Sequence, residues 1–184
     1  MGRTLLRRWF VCVALFTLPI GVIQADDIAR TRISNDEAGD RLEIEQLRRL
    51  YAKATDAIGS ATPESIERGR AIYHRIFTTD VQIRTVGKNP LTASNPDAWL
   101  DIVHDALKDY AGTQHLIGTQ LVSIDGDQAM MESYVNAWHQ NADGSTFVFI
   151  GTYLDKCRKT HLGWQIYDMT LRQSAGGMIQ VDSL

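Results

Sequence analysis

Three short turn signals divide the second half of the chain into similar runs, and this division limits the possible folds more than any other feature. After Gly112 apolar and polar residues alternate, and the alternation breaks at 125–127 (DGD), 141–145 (NADGS) and 159–163 (KTHLG). Glycine and aspartate in such positions are typical of tight turns between antiparallel strands. The sequence therefore predicts consecutive hairpins over this half of the chain.

Helical patterns come before these strands. Apolar residues recur at spacings of three, four and seven over 40–59, which predicts an amphipathic helix. Thr62 followed by Pro63 is a typical helix start, and a similar cap-then-proline signature opens another helix at 94–99. A strand at 81–86 separates these two helices. Helices first and strands afterwards predict an α+β class, with helices packed on one face of a curved antiparallel sheet.

The first 25 residues resemble an export signal. Three arginines precede an apolar run of 15 residues from Trp9 to Ile23, and Ala25 is a small residue that suits a cleavage point. A membrane-spanning helix needs roughly 20 apolar residues, so a periplasmic or secreted location is favoured over a retained anchor. Arg7 and Arg8 also suit the twin-arginine route, and the sequence leaves the general and the twin-arginine routes open.

The rest of the chain is expected to be a single domain at 41–174, with a loose polar leader at 26–40 and a flexible tail at 175–184. Without the three signal arginines, 16 basic residues face 22 acidic ones, a net charge of −6. This balance disfavours a nucleic-acid partner, and no membrane contact is expected after signal removal. Cys157 is then the single cysteine, and no Cys/His cluster has zinc spacing, so neither a disulfide nor a metal is expected.

The two strands around the first turn each carry a histidine, His115 and His139. Side chains alternate between the faces of a strand, so the register decides whether the two rings meet. A two-residue turn at 125–126 would place them on opposite faces, whereas a three-residue loop that pairs Ser123 with Asp127 keeps them together. The second register is predicted, because it alone gives one small, largely apolar face that can be buried.

Two imidazoles in one concavity have two interpretations. Each ring could simply be satisfied by a backbone carbonyl or by solvent near a strand end. Alternatively, neutral imidazole can take a proton and return it near pH 7, as general acid-base chemistry requires. A carboxylate that orients one ring would strengthen the second interpretation.

Several segments in this order resemble the SnoaL-like branch of the nuclear transport factor 2-like superfamily. They are YAKATD (51–56), IFTTDV (76–81), NPDAWLDIV (95–103), TQHLIG (113–118), AWHQ (137–140) and GWQIYD (163–168). The resemblance covers about 40–174. It implies a cone-shaped, strongly curved antiparallel sheet whose central pocket is closed by the N-terminal helices.

Within that superfamily the chain is most similar to scytalone dehydratase-like members. The resemblance implies that His115 is the acid-base, with Asp56 and His139 positioning it and a bound oxygen. The chain departs from that pattern at Thr55, where the dehydratase has tyrosine, and in a longer segment at 57–76. A helical wheel places Asp56 nearly opposite the apolar stripe of the first helix, which alone predicts a solvated acid. The resemblance predicts the opposite, and its prediction is preferred.

Three hypotheses about function follow. The first is a cofactor-independent lyase or isomerase that acts on a small apolar or aromatic molecule. The second is a non-catalytic module that binds a small ligand in the same pocket. The third, compatible with either, is a homo-oligomer, dimer or trimer, built on the outer sheet face that carries Met130, Tyr134 and Trp138. The residues expected to contact a ligand are Tyr51, Phe77, Ile117, Met131 and Val135.

Overall fold

The computed structural model describes residues 33–180, which form three helices and six strands. The helices are α1 (Asn35–Gly59), α2 (Pro63–Ile76) and α3 (Pro96–Leu107), and the strands are β1 (Phe77–Val86), β2 (Thr92–Ala93), β3 (Gly112–Asp125), β4 (Gln128–Gln140), β5 (Ser145–Thr160) and β6 (Gly163–Gln180). The export signal predicted at 1–25 lies outside the described residues. Within residues 33–180, no helix has the length and apolar character needed to span a membrane.

Both ends of the domain extend further than the sequence predicts. Helix α1 begins at Asn35, inside the predicted leader, because the Ser34 side chain caps it by accepting a hydrogen bond from the backbone N–H of Glu37 at 3.2 Å. Strand β6 continues to Gln180, inside the predicted tail, because its end pairs with the start of β5 at Ser145. The ordered domain therefore includes about six residues more at each end.

The second helix leads directly into the first strand. Thr62 and Ser65 form a reciprocal capping box at the start of α2, as the Thr-Pro signature predicts. At the other end, Gln165 Nε2 donates hydrogen bonds to the carbonyls of Arg75, at 3.0 Å, and Phe77, at 2.9 Å. These bonds satisfy backbone oxygens that the change from helix to strand leaves without helical partners. The junction needs no connecting loop.

The six strands form a single sheet in the order β2-β1-β6-β5-β4-β3. The three predicted hairpins are present, and each of their turns has a glycine with positive φ, at Gly126, Gly144 and Gly163. The α+β class is confirmed. The sheet is mixed rather than wholly antiparallel, because β1 pairs in parallel with the last strand, β6.

The turn between β3 and β4 differs from the predicted loop. Asp125 pairs with Gln128 across a two-residue turn, so odd positions face even ones at this end of the hairpin. Val122 is consequently buried and Leu121 is 40% exposed, the reverse of the predicted orientation. The predicted register is wrong here, because composition alone did not distinguish the two turns.

A bulge in the middle of β3 changes the register before the histidines are reached. The pairing shifts between Gly118 and Gln120, which leaves Thr119 as an extra residue. Beyond it His115 lies opposite Ala137, and odd positions face odd ones. A bulge of one residue turns the rest of a strand to the other face. His115 and His139 therefore share the inner face, as predicted, but for a different reason.

Helix α1 is covered on two sides. Gly69 of α2 lies so close to Ile58 that a Cβ would be 2.5 Å from that side chain, and a Cβ on Gly59 would be 2.8 Å from Thr113 of β3. The last turns of α1 are thus held between another helix and the sheet. A residue opposite the main apolar stripe of α1 can therefore still face the interior.

A buried ion pair joins α1 to the sheet. Arg48 and Asp155 of β5 have fully buried side chains, and the guanidinium makes two hydrogen bonds to the carboxylate, through Nε at 3.1 Å and through Nη2. The guanidinium also lies 3.8 Å from the ring centre of Tyr153 and 4.4 Å from that of Tyr51. Burial opposes the charge on Arg48, but Asp155 together with Tyr153 and Tyr51 raises the pKa of the guanidinium. Burial also raises the pKa of the Asp155 carboxyl, although Arg48 acts in the opposite direction.

Candidate active site

A cavity of about 390 Å³ lies between the inner face of the sheet and helices α1 and α3. Its buried lining residues form what we call the floor: Tyr51, Thr55, Trp99, Val103, Leu107, Ala137, His139 and Tyr153. Its exposed lining residues form what we call the mouth: Val86, Gly87, Lys88, Asn89, Leu91, Ala106 and Gln173. A volume of this size falls within the range of small-molecule sites.

His115 lies on the cavity wall and is held by Asp56. Its Nδ1 is 2.7 Å from Asp56 Oδ1, and its backbone nitrogen is 3.4 Å from Asp56 Oδ2. The two side chains are only 9% and 20% exposed. Because an ionised carboxylate can only accept, Nδ1 donates the hydrogen bond, and in the neutral imidazole this leaves the lone pair on Nε2. The pair has the base-and-orienting-acid arrangement used in general base catalysis.

The solvated-acid prediction from the helical wheel is therefore wrong for Asp56. The carboxylate faces β3 because the close approach of Gly59 to Thr113 brings the last turns of α1 against that strand. The wheel assumes that a helix buries only one stripe, whereas α1 is enclosed on two sides. The prediction from the resemblance, an inward-facing carboxylate, agrees with the structure.

His139 lies beside His115 on the inner face. The ring centres are 5.4 Å apart and the planes nearly perpendicular, at 81°. His139 Nδ1 is 3.3 Å from the carbonyl oxygen of Phe147, which can only accept, so Nδ1 carries the hydrogen. Burial, with a smaller effect of His115, lowers the pKa of His139 to about 4. His139 is therefore neutral near pH 7, and its Nε2 is an acceptor.

Hydroxyl groups accompany His139 at the floor. Trp99 Nε1 donates a hydrogen bond of 3.1 Å to Tyr51 Oη, and the hydroxyls of Thr55 and Tyr73 are 2.7 Å apart. Burial raises the pKa of Tyr153 well above its ordinary value, so this phenol keeps its proton. The floor is thus an apolar surface with a few buried O–H groups.

The comparison with protein families agrees with this architecture. The model of the SnoaL-like domain matches residues 36–170, which is most of the chain. The chain belongs to the SnoaL-like domain family. No protein with a curated description matches it.

Solved structures with the same fold extend the comparison. The SnoaL-like chain is similar to a candidate scytalone dehydratase from Novosphingobium aromaticivorans, with 19% identity, a TM-score of 0.61, and 79% of this chain and 94% of that one covered. It is also similar to a hexachlorocyclohexane dehydrochlorinase from Novosphingobium barchaimii, with 14% identity, a TM-score of 0.65, and coverage of 81% and 98%. The Kfla4162 protein from Kribbella flavida has 22% identity, a TM-score of 0.63, and coverage of 76% and 94%. At these identities the similarity shows the fold alone.

Only some of the residues predicted to contact a ligand line the cavity of this SnoaL-like domain. Tyr51 lines the floor together with His139, and His115 lines the wall. Phe77, Met131 and Val135 lie in the core, and Ile117 packs against it. None of these four lines the cavity, because the middle of the sheet is covered by α1: Gln120, for instance, contacts both Met131 and the Glu45 carbonyl of α1.

Several lining residues were not predicted to contact a ligand. The inward stripe of α3 contributes Trp99 and Val103 to the floor and Ile102 to the half-buried part of the lining, and Tyr110 follows it. The spacing of this stripe identifies it as inward-facing, but not whether it meets a core or a cavity. Phe147 and Phe149 line the cavity from β5, and nothing in the sequence separates them from ordinary core residues. Among residues 33–180, no cluster of three or more potential ligands is arranged to hold a metal ion.

Proposed function

We propose that this SnoaL-like domain is a cofactor-independent lyase or isomerase for a small apolar or aromatic molecule. The observation that carries the proposal is the 2.7 Å contact between His115 Nδ1 and Asp56 beside an apolar cavity. In this arrangement Nε2 of His115 is the base, and Asp56 fixes the tautomer and stabilises the imidazolium that forms.

The reaction begins with removal of a proton from a carbon next to a carbonyl group or a leaving group. His115 Nε2 takes the proton, and the electron pair of the broken C–H bond forms a carbon-carbon double bond. In a lyase the leaving group departs with its bonding pair. In an isomerase the carbonyl oxygen takes up the charge, and the proton returns from His115 to a different carbon.

His139 has a more restricted role than the acid-base residue. Because its Nδ1 donates to Phe147, its Nε2 can accept a hydrogen bond from a hydroxyl group of the substrate or from water. It is not a donor to a negatively charged oxygen in this tautomer. The phenol groups of Tyr51 and Tyr153, which line the floor, are the donors that suit such an oxygen.

The comparisons support this class of reaction without identifying the substrate. The dehydratase and dehydrochlorinase named among the similar structures are proteins whose names describe eliminations. A non-catalytic ligand-binding module remains the alternative, because the apolar lining would suit it equally well. The His115–Asp56 pair favours catalysis, since a binder needs no oriented base.

Proton abstraction can be tested without the natural substrate. We expect the protein to catalyse deuterium incorporation next to the carbonyl group of 1-tetralone in deuterated buffer, followed by proton NMR. His115→Gln should lower the catalysed rate by about a hundredfold or more, the scale of general base catalysis. Asp56→Asn should also lower it, because the amide cannot stabilise the imidazolium.

His161→Gln is the matched control. His161 is exposed in the turn between β5 and β6, outside the cavity lining, so its substitution should leave the exchange rate unchanged. Exchange at the buffer rate with the wild-type protein, or an equal rate in His115→Gln, would contradict the mechanism. Ligand binding without exchange would then support the binding module.

Two broader properties belong to the same proposal. We propose export to the periplasm or the exterior. A mature N-terminus near Asp26, determined by mass spectrometry, would support it.

We also propose that copies associate through the outer sheet face as a dimer or trimer. Tyr134 is 53% exposed on that face, and Met130 and Trp138 are partly exposed beside it. Light scattering tests this association, and a monomeric mass would exclude it.

A further inference from the structure

We propose that the cavity binds apolar molecules that carry a carboxylate, with the carboxylate at the mouth beside Lys88. This inference rests on the proposed function for the role of the cavity, and it adds the chemical class and the orientation of the ligand. The inference rests on the distribution of charged, buried and exposed residues over the cavity lining.

The lining is buried and largely apolar at the floor, whereas the exposed mouth combines apolar residues with three polar side chains. The floor offers aromatic and aliphatic side chains with a few hydroxyl groups, whereas Lys88, Asn89 and Gln173 lie at the mouth. A ligand that fills such a cavity places its apolar body inside and its polar group outside. The opposite orientation would move a solvated group into a buried environment without partners.

The charge at the mouth is positive. Among the described residues that line the cavity, Lys88 is the only lysine or arginine, and there is no aspartate or glutamate. Lys88 makes no ion pair within residues 33–180. The chain as a whole has a net charge of −3, so this cation does not reflect a generally basic surface. Its position therefore favours an anionic group on the ligand.

The closed end of the cavity repels an anion. Asp56 lies behind His115 at 2.7 Å, and His139 stays neutral near pH 7. The guanidinium of Arg48 behind the floor is already paired with Asp155, so no unpaired positive charge is fixed there to offset a second carboxylate. An anionic ligand group is thus attracted at one end and excluded from the other. This difference would orient the ligand, with the end remote from its carboxylate next to Nε2 of His115.

A single negative charge suits the mouth better than a phosphate group. Phosphate sites generally combine several cations or backbone N–H groups at a helix start. Here one ammonium group is accompanied by the side-chain amides of Asn89 and Gln173. One ammonium group is enough to pair with a carboxylate that keeps contact with solvent.

Two probes with the same ring system test the inference: 2-naphthoate, which is anionic, and 2-naphthylmethanol, which is neutral. Binding of both is measured by isothermal titration at low ionic strength. Lys88→Gln should weaken naphthoate about three- to fivefold, the scale of an exposed charge pair, and Lys88→Glu should weaken it further. Binding of the alcohol should change less than about twofold in both variants, which also shows that they are folded.

Lys53→Glu is the control, because it makes the same charge change at an exposed position of α1 outside the lining. It should leave both affinities unchanged. Added salt should reduce the effect of Lys88→Glu on naphthoate. Adding Lys88→Glu to His115→Gln should weaken naphthoate by the same factor as it does in the wild type, which separates this inference from the catalytic one. Absence of exchange by the wild-type protein together with this dependence on Lys88 would remove only the catalytic proposal.

Three results would overturn the inference. In the first, Lys88→Glu weakens the two probes equally. In the second, Lys53→Glu weakens naphthoate as much as Lys88→Glu does. In the third, the wild-type protein binds neither probe.

Discussion

The protonation of His139 is the clearest consequence of burial at the scale of one residue. The ring is only 6% exposed, and its one described hydrogen bond goes to a backbone carbonyl. Burial limits the hydration of an imidazolium there and lowers the pKa of His139 from 6.5 to about 4. In the unfolded chain the same ring takes up a proton near its ordinary pKa.

This difference predicts a pH dependence of stability. Between about pH 6.5 and pH 4 the unfolded state binds more protons at His139 than the folded state, so the free energy of unfolding falls as the pH falls. The loss from this residue should be on the order of 2 kcal/mol by about pH 4.5. Urea denaturation of the wild type and of His139→Gln at several pH values measures it.

The glutamine variant cannot take up this proton, so its stability should decline less over the same interval. Other titrating groups contribute equally to both proteins and cancel in the comparison. Parallel pH dependences of the two proteins would show that His139 takes up its proton at the same pH in the folded and unfolded states.

At the scale of one element, the bulge at Thr119 determines which side chains of β3 enter the cavity. Deletion of Thr119 would remove the extra residue and turn positions 112–118 to the other face, if the turn register is kept. His115 would then leave the cavity, and exposed residues such as Leu116 would replace it inside. We expect a large loss of stability, measured by urea denaturation, together with loss of the exchange activity.

Thr119→Ala is the matched control, because it keeps the extra residue and changes only an exposed side chain. Its free energy of unfolding should stay within about 0.5 kcal/mol of the wild type. A deletion variant as stable and as active as this control would show that the bulge does not set the register.

The sequence predicted the elements better than their relation to one another. Alternating apolar and polar residues, with the turn residues between them, were sufficient to predict the hairpins. The capping residues were sufficient to predict the start of α2. The bulge was not predicted, although Gly118 beside Thr119 is an isolated strand glycine of the kind that often accompanies one. These patterns also did not show that Lys88 and Asn89 line a cavity, since an irregular loop has no periodicity from which to infer a facing side.

At the scale of the whole molecule, the Arg48–Asp155 pair connects the helical layer to the sheet. Both charges are removed from water, and each is stabilised mainly by the other. Arg48→Met should therefore lower the free energy of unfolding by about 3–5 kcal/mol, because it leaves a buried carboxylate without its partner. Urea denaturation measures this loss.

The double variant Arg48→Met with Asp155→Leu separates the cost of an unpaired charge from the cost of lost packing. It should be more stable than Arg48→Met alone, because no buried charge remains. If the double variant is as unstable as the single one, the guanidinium contributes mainly through its contacts with the rings of Tyr51 and Tyr153.

The parallel pairing of β1 with β6 affects the order in which the molecule can assemble. The first long strand of the domain has its main neighbour in the last, more than 80 residues later, at pairs such as Ile83 with Met169. The chain must be synthesised through β6 before β1 and β6 can pair. Such distant contacts slow folding, so the newly made chain would remain open for longer than one built from neighbouring hairpins alone.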